Sequence, residues 1–150
     1  YVELEDISYP RATGESRAQQ AGFPTVVLTT SGQPGIQPLE SDAPEEFASN
    51  ILIEGSGEAI EIGDVVNVHY SGWTWDGNQF DSSWERGRPA EFTVSPQSLI
   101  QGFVQALEGV TVGSQVIAII PPELGYGDTG TGSIPGGATL VFVVDVLSID

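Results

Sequence analysis

Apolar and polar positions follow two different rhythms along the chain. Residues 1 to about 46 show little period beyond short β-like runs, and Pro10, Pro24, Pro34, Pro38 and Pro44 keep interrupting them. That is linker composition, and on it alone residues 1 to about 44 are expected to be dispensable for folding and activity. Two runs inside it stand apart. Thr25-Val26-Val27-Leu28, followed by Thr29-Thr30-Ser31-Gly32-Gln33-Pro34, predicts a small hairpin or a turn leading out of a short strand. Tyr1-Val2-Glu3-Leu4-Glu5-Asp6-Ile7 shares with Phe142-Val143-Val144-Asp145-Val146-Leu147-Ser148-Ile149 an aromatic residue followed by alternating valines and acids. The segment therefore reads either as a linker or as the last strand of an upstream module of the same kind.

From Phe47 onward the β rhythm is regular. Ile51-Leu52-Ile53 leads into a Gly55-Ser56-Gly57 turn, and Asp64-Val65-Val66-Asn67-Val68-His69-Tyr70 alternates with period two, as a half-buried strand does. Asp76-Gly77 predicts a hairpin between Gly72-Trp73-Thr74-Trp75 and Gln79-Phe80. Val112 to Ile120 and Ala138 to Ile149 supply further strands, the last unusually apolar. One helix is predicted between Ser95 as cap, Pro96 at the first helical position and Gly109 at the close. Leu99, Phe103 and Leu107 then share one face, with Ile100 and Val104 beside them. The expected fold is α+β: about five antiparallel strands around one short amphipathic helix, with a domain at 47–150 behind a 1–46 segment.

Composition narrows the function. The 150 residues carry 21 acids against 4 arginines and no lysine, for a net charge of −17. Such a surface repels phosphate backbones and anionic membranes, so nucleic acid is excluded as an expected partner. There is no cysteine, which removes disulfides and thiolate metal sites. No apolar run approaches the ~18 residues of a membrane span. The first residue is Tyr, with no signal-like segment behind it, so the chain reads as a mature or excised piece of something longer. A secreted or cell-surface bacterial protein fits this charge and cysteine usage; a cytoplasmic or high-salt setting fits the charge as well.

The candidate chemistry lies in ordered blocks between residues 66 and 142. They read Val68-His69-Tyr70-Ser71-Gly72, Phe80-Asp81-Ser82-Ser83, Leu99-Ile100-Gln101-Gly102-Phe103, Gly125-Tyr126-Gly127 and Ala138-Thr139-Leu140-Val141-Phe142. Aromatics and aliphatics with a few hydroxyls suit the rotation of an X-Pro bond, which needs neither nucleophile nor metal. The barrier of ~18–20 kcal/mol is lost amide resonance, and a dry pocket favours the less polar twisted amide over the planar ground state.

In order and spacing, with a one-residue shortening before Ile134, the blocks resemble the FKBP family of peptidyl-prolyl isomerases, the receptors of tacrolimus and rapamycin. That resemblance implies a twisted antiparallel sheet curled around one helix, no cofactor, proline-containing polypeptides as partners and the two macrolides as inhibitors. It implies Phe103 as the floor under the prolyl ring, with Tyr70, Phe80, Leu99, Ile100 and Phe142 as walls. The Ile100 N–H and the Tyr126 hydroxyl would bond substrate carbonyls, and Asp81 would sit at the rim, held by Tyr70 and Arg86. Ala90, Phe92 and Ile134 would complete the substrate-binding side. Three departures from the family pattern stand out: Phe103 where Trp is frequent, Ala90 where an aromatic is common, and a Gly- and Thr-rich flap at 128–133. The alternative function is a non-catalytic module that holds a proline segment in the same pocket.

Other motifs lead to weaker readings. Gly125-Tyr126-Gly127-Asp128-Thr129-Gly130 matches a dinucleotide fingerprint but opens no predicted helix. Asp76, Asn78, Asp81 and Glu85 lack the spacing of a calcium loop. His69, the only histidine, follows the strand alternation away from Tyr70 and so away from the pocket.

Overall fold

The computed structural model describes residues 15–16, 23–28, 33–37, 43–95, 97, 99–127, 129–130, 134 and 136–149. In chain order the strands are β1 (Glu15–Ser16), β2 (Thr25–Leu28), β3 (Pro34–Gln37), β4 (Ala48–Glu54), β5 (Val65–Thr74), β6 (Gln79–Ser82), β7 (Ala90–Thr93), β8 (Gln115–Ile120) and β9 (Leu140–Ile149). Helix α1 (Ser83–Arg86) separates β6 from β7, and α2 (Gln101–Leu107) precedes β8. A 3-10 turn, Pro122–Leu124, follows β8. The 1–7 run and Pro96 lie outside the described residues, as does most of the 128–133 flap.

An antiparallel sheet of seven strands runs in the order β1-β4-β8-β9-β5-β6, with β7 also paired to β5. β6 and β7 are two halves of one edge. β6 pairs with the far end of β5 at residues 71–73 and β7 with its start at 65–68. Between them the chain leaves the edge for the single turn of α1. With that edge taken as one strand, and the two-residue β1 set aside, the core sheet has the expected five strands. The Asp76-Gly77 turn forms where expected: Gly77 donates to the Thr74 carbonyl at 2.9 Å with φ of 98°, a left-handed value that favours glycine.

Side-chain alternation divides the apolar residues between two faces. Val116, Ala118 and Ile120 of β8 and Phe142, Val144 and Val146 of β9 point inward with Val66, Val68 and Tyr70, under α2. Ile117, Val141, Val143 and Trp73 point to the opposite face, where they pack with Leu52 and with Val26 of the β2–β3 hairpin. Phe23, Leu28 and Ile36 border this second cluster. The near-continuous apolar run of β9 is thus explained by cover on both faces. A hairpin at Thr25 is legible in the sequence; its packing on the outer face is not. The expectation that this stretch is dispensable for folding conflicts with the burial of Val26 against the sheet.

The helix also starts later than its sequence signals imply. Ser95 is not its cap: Leu99 N–H closes a turn on the Ser95 carbonyl at 3.1 Å, and Ile100 is extended, with φ −62° and ψ 150°. The Ile100 carbonyl accepts the first helical bonds, from Phe103 and Val104. Leu99 and Ile100 are therefore held before α2 rather than on its face, while Phe103, Val104 and Leu107 are buried on it. Gly109 closes the segment as expected, with φ of 84°. Gly102 sets the depth of docking, because a Cβ there would lie 2.4 Å from Cγ2 of Ile120.

Removal of residues 1–42 should uncover Trp73, Ile117, Val141 and Val143. At ~1.5–3 kcal/mol per buried apolar side chain, losing cover over even two of them lowers the melting temperature by on the order of 10 °C. Calorimetry of the shortened and full chains checks this, and an unchanged melting temperature would show that the hairpin adds nothing to stability.

Candidate active site

The inward face of the sheet and the start of α2 enclose a cavity of about 400 Å³. Its wall is made by Tyr70, Phe80, Asp81, Phe92, Gln97, Leu99, Ile100, Phe103, Tyr126 and Phe142. Residues far apart in the chain meet here because β5 and β9 are neighbours in the sheet and α2 lies across them. Phe103, 5% exposed, is the hub: its ring lies 5.0 Å from Phe142, 5.5 Å from Phe92 and 6.0 Å from Tyr70 between centroids. Phe80 and Phe142 meet edge to face at 5.5 Å and 83°, a geometry worth ~0.5–1.5 kcal/mol beyond its burial. Gly72 makes that pair possible, since a Cβ on it would stand 2.7 Å from both rings.

A polar set borders the rings. Tyr70 hydroxyl donates to Asp81 Oδ2 in a short bond, and Arg86 Nη1 donates to Asp81 Oδ1 at 2.5 Å. Arg86 Nη2 reaches the Tyr70 oxygen at 3.0 Å, with the guanidinium carbon 5.5 Å from the Tyr70 ring centre. The Ser82 N–H adds a fourth bond, to Asp81 Oδ1 at 2.9 Å. Arg86 and Asp81 are 46% and 39% exposed, and pairs that open contribute only ~0–1 kcal/mol. The set orients side chains more than it stabilises the fold.

These contacts also decide protonation. Burial alone would raise the Asp81 pKa, but the Tyr70 hydroxyl and the Arg86 guanidinium outweigh it and hold the carboxyl below its ordinary 3.8. Burial pushes the Tyr70 phenol above 10.0, aided by its bond to Asp81. Tyr126 is raised as well, by burial first and then by the Asp81 charge. At neutral pH both tyrosines are phenols and Asp81 is a carboxylate.

Tyr126 enters the cavity from the turn after Pro122–Leu124, where Gly127, at φ 65°, donates to the Pro122 carbonyl at 2.8 Å. Neither its hydroxyl nor the Ile100 N–H has a hydrogen-bond partner among the described residues. No group of acidic or histidine side chains among the described residues is arranged to hold a metal.

Not every expected residue lines the cavity. Arg86 stands behind Asp81 and Tyr70 rather than in the wall. Ala90 faces Val68 on β7, packed against the main core with a side chain of one carbon. Ile134 is buried in that core, 6% exposed. Gln97 lines the wall and was missed, because the segment before Leu99 reads locally as the first turn of a helix. The contribution of Gly72 was missed too; its only local signal is a glycine within a strand pattern.

The family model described as FKBP-type peptidyl-prolyl cis-trans isomerase matches residues 56–147. The chain is 38% identical over 111 residues to the FK506-binding protein of Streptomyces anulatus, covering 72% of this chain and 90% of that one. It is 40% identical over 96 residues to the FKBP-type peptidyl-prolyl cis-trans isomerase FkpA of Buchnera aphidicola, covering 64% of this chain but only 38% of that one. The crystal structure of FkpA from Escherichia coli superposes with a TM-score of 0.66 at 32% identity, covering 83% of this chain and 51% of that one. The chain thus spans about half or less of the FkpA proteins it matches. The matched region runs from before β5 almost to the end of β9 and so contains the whole cavity wall, and on this ground the chain belongs to the FKBP-type peptidyl-prolyl cis-trans isomerase family.

Proposed function

We propose that this chain is a peptidyl-prolyl cis-trans isomerase that assists the folding of proline-containing polypeptides. One observation supports the reading: a ring-walled cavity with Phe103 at its base and, at its border, two donors without a partner among the described residues, Ile100 N–H and Tyr126 hydroxyl. The prolyl ring sits over Phe103, between Tyr70, Phe80 and Phe142. There the twisting amide loses water that stabilises its planar, charge-separated form. Ile100 N–H and Tyr126 hydroxyl hold the substrate carbonyls, and the Asp81 carboxylate faces the amide as it turns. No bond is broken and no proton moves; the pocket acts by binding the twisted form more tightly than the planar one.

The name of the Streptomyces relative records FK506 binding. We extend this here as a proposal, with tacrolimus and rapamycin as inhibitors that fill the same cavity. Export to the outside of the source cell is proposed as well, supported by the charge of −17 and the lack of cysteine; recovery of the protein only from cytosol would refute it. The central experiment is NMR exchange on a proline tetrapeptide with and without rapamycin. Acceleration that rapamycin abolishes is expected. Binding of the peptide without acceleration would favour a holding module instead.

Phe103→Ala should lose far more activity than Tyr126→Phe. The first removes the hub of the ring contacts, the second one hydroxyl from an otherwise apolar wall. Truncating a buried Phe also costs ~3–5 kcal/mol of stability, so circular dichroism must show both variants folded before rates are compared. Equal losses from two folded variants would contradict the pocket described here.

The pH profile of kcat/KM should be level from about pH 7 to 9. Tyr70 and Tyr126 titrate above 10.0 and Asp81 below 3.8, while burial lowers His69 from 6.5 so that it is neutral across this range. A bell-shaped profile centred in that window would reveal proton transfer and overturn the mechanism.

A further inference from the structure

Arg86 joins the Tyr70–Asp81 pair from a four-residue helix, and a helix that short has no stability of its own. Something outside the cavity must hold it. His69 and Tyr70 are consecutive on β5, so Tyr70 enters the cavity while His69 turns to the opposite face. There His69 Nδ1 lies 2.8 Å from Ser83 Oγ, at the first position of α1. Ser83, with no exposed surface, also accepts the Tyr70 N–H at 2.8 Å and lies 3.3 Å from the Tyr70 carbonyl. The next residue, Trp84, stacks its ring on His69 at 3.9 Å and 15°. Arg86 projects from the end of the same turn to Asp81 and Tyr70.

We propose that His69, Ser83 and Trp84 form a clamp behind the sheet, and that these positioning residues fix α1 so that Arg86 reaches Asp81 and Tyr70. The proposal rests on the isomerase reading only for its effect on rate; the clamp itself is a statement about geometry.

Two features favour a positioning role over incidental packing. Trp84 Nε1 is buried without a hydrogen-bond partner among the described residues, which is unfavourable in itself. What Trp84 supplies is therefore its flat ring against the imidazole, not a hydrogen bond. Secondly, Arg86 and Asp81 are too exposed to hold the turn in place by their own attraction. Burial lowers the His69 pKa, so the ring is neutral at pH 7. Ser83 Oγ accepts from the Tyr70 N–H at 2.8 Å, lies within donating reach of the Tyr70 carbonyl at 3.3 Å and shares a hydrogen bond with His69 Nδ1 at 2.8 Å. One serine in this way ties the backbone of the cavity tyrosine to the reverse-face histidine.

The test follows the Asp81 carboxyl by carbon NMR titration alongside isomerase kinetics, in the full chain and in Trp84→Leu, Trp84→Phe and Ser83→Ala. In Trp84→Leu the freed Arg86 should let the Asp81 midpoint rise toward 3.8, and kcat/KM should fall on the order of 10-fold. Trp84→Phe keeps a flat ring and removes the orphaned N–H, so it should restore both. Ser83→Ala removes one oxygen and should behave like Trp84→Leu; it also carries the test if Trp84→Leu does not fold. A change that was only structural would lower the melting temperature and leave the Asp81 titration of the folded protein where it was. Unchanged titration and kinetics in folded Trp84→Leu and Ser83→Ala would overturn the clamp, as would Trp84→Phe falling as far as Trp84→Leu. If the parent chain shows no isomerase activity yet Asp81 shifts as stated, the clamp stands and the isomerase reading falls.

Discussion

A strand sends successive side chains to opposite faces, and β5 is placed where both faces matter. Tyr70 reaches the cavity and His69 the reverse side, while Gly72 leaves room for the rings of Phe80 and Phe142. β9 lies directly alongside, with Phe142 opposite Gly72 in register. A slip of one residue in this pairing would turn Phe142 out of the cavity and put Val141 or Val143 into it. The apolar cover on both faces of β9 makes such a slip unfavourable in either direction. The site therefore depends on a register that two separate clusters of apolar side chains both enforce.

The interrupted edge of the sheet gives the polar half of the site. Had β6 run on into β7 without a break, the residues after Asp81 would have continued the ladder along β5. The single turn of α1 instead lifts Ser83 and Trp84 against His69 and swings Arg86 back over Tyr70. The apolar floor comes from regular structure, whereas the charged rim comes from a departure from it. The rings form the apolar part of the cavity, and the charged groups remain half exposed, where they orient without demanding deep burial of charge.

The acidic character of the chain leaves little trace in the cavity. Asp81 is the one carboxylate in the described wall, and it is held by Tyr70, Arg86 and the Ser82 N–H. The other acidic side chains stand outside the described wall, and their charge acts at longer range.

By itself the sequence determined the strands that alternate, the Asp76-Gly77 turn, and the aromatics at Tyr70, Phe80, Phe103 and Phe142. These follow from period, local turn chemistry and residue type, none of which needs a distant partner. Only the tertiary structure decided where α2 begins, because Ser95 and Pro96 are good local signals for a helix start while Leu99 lies in a turn closed on Ser95 and Ile100 is extended. It also decided that 23–37 is more than a proline-rich connector, since a hairpin of four-residue strands acquires its stability from the sheet face it covers. The same holds for His69, Ser83 and Trp84. A histidine on an outward strand position and a tryptophan in a single helical turn carry no signal of each other, and 14 residues of chain separate His69 from Ser83. They meet because β6 folds back on β5, and a contact made across strands is set by pairing geometry that no local pattern encodes.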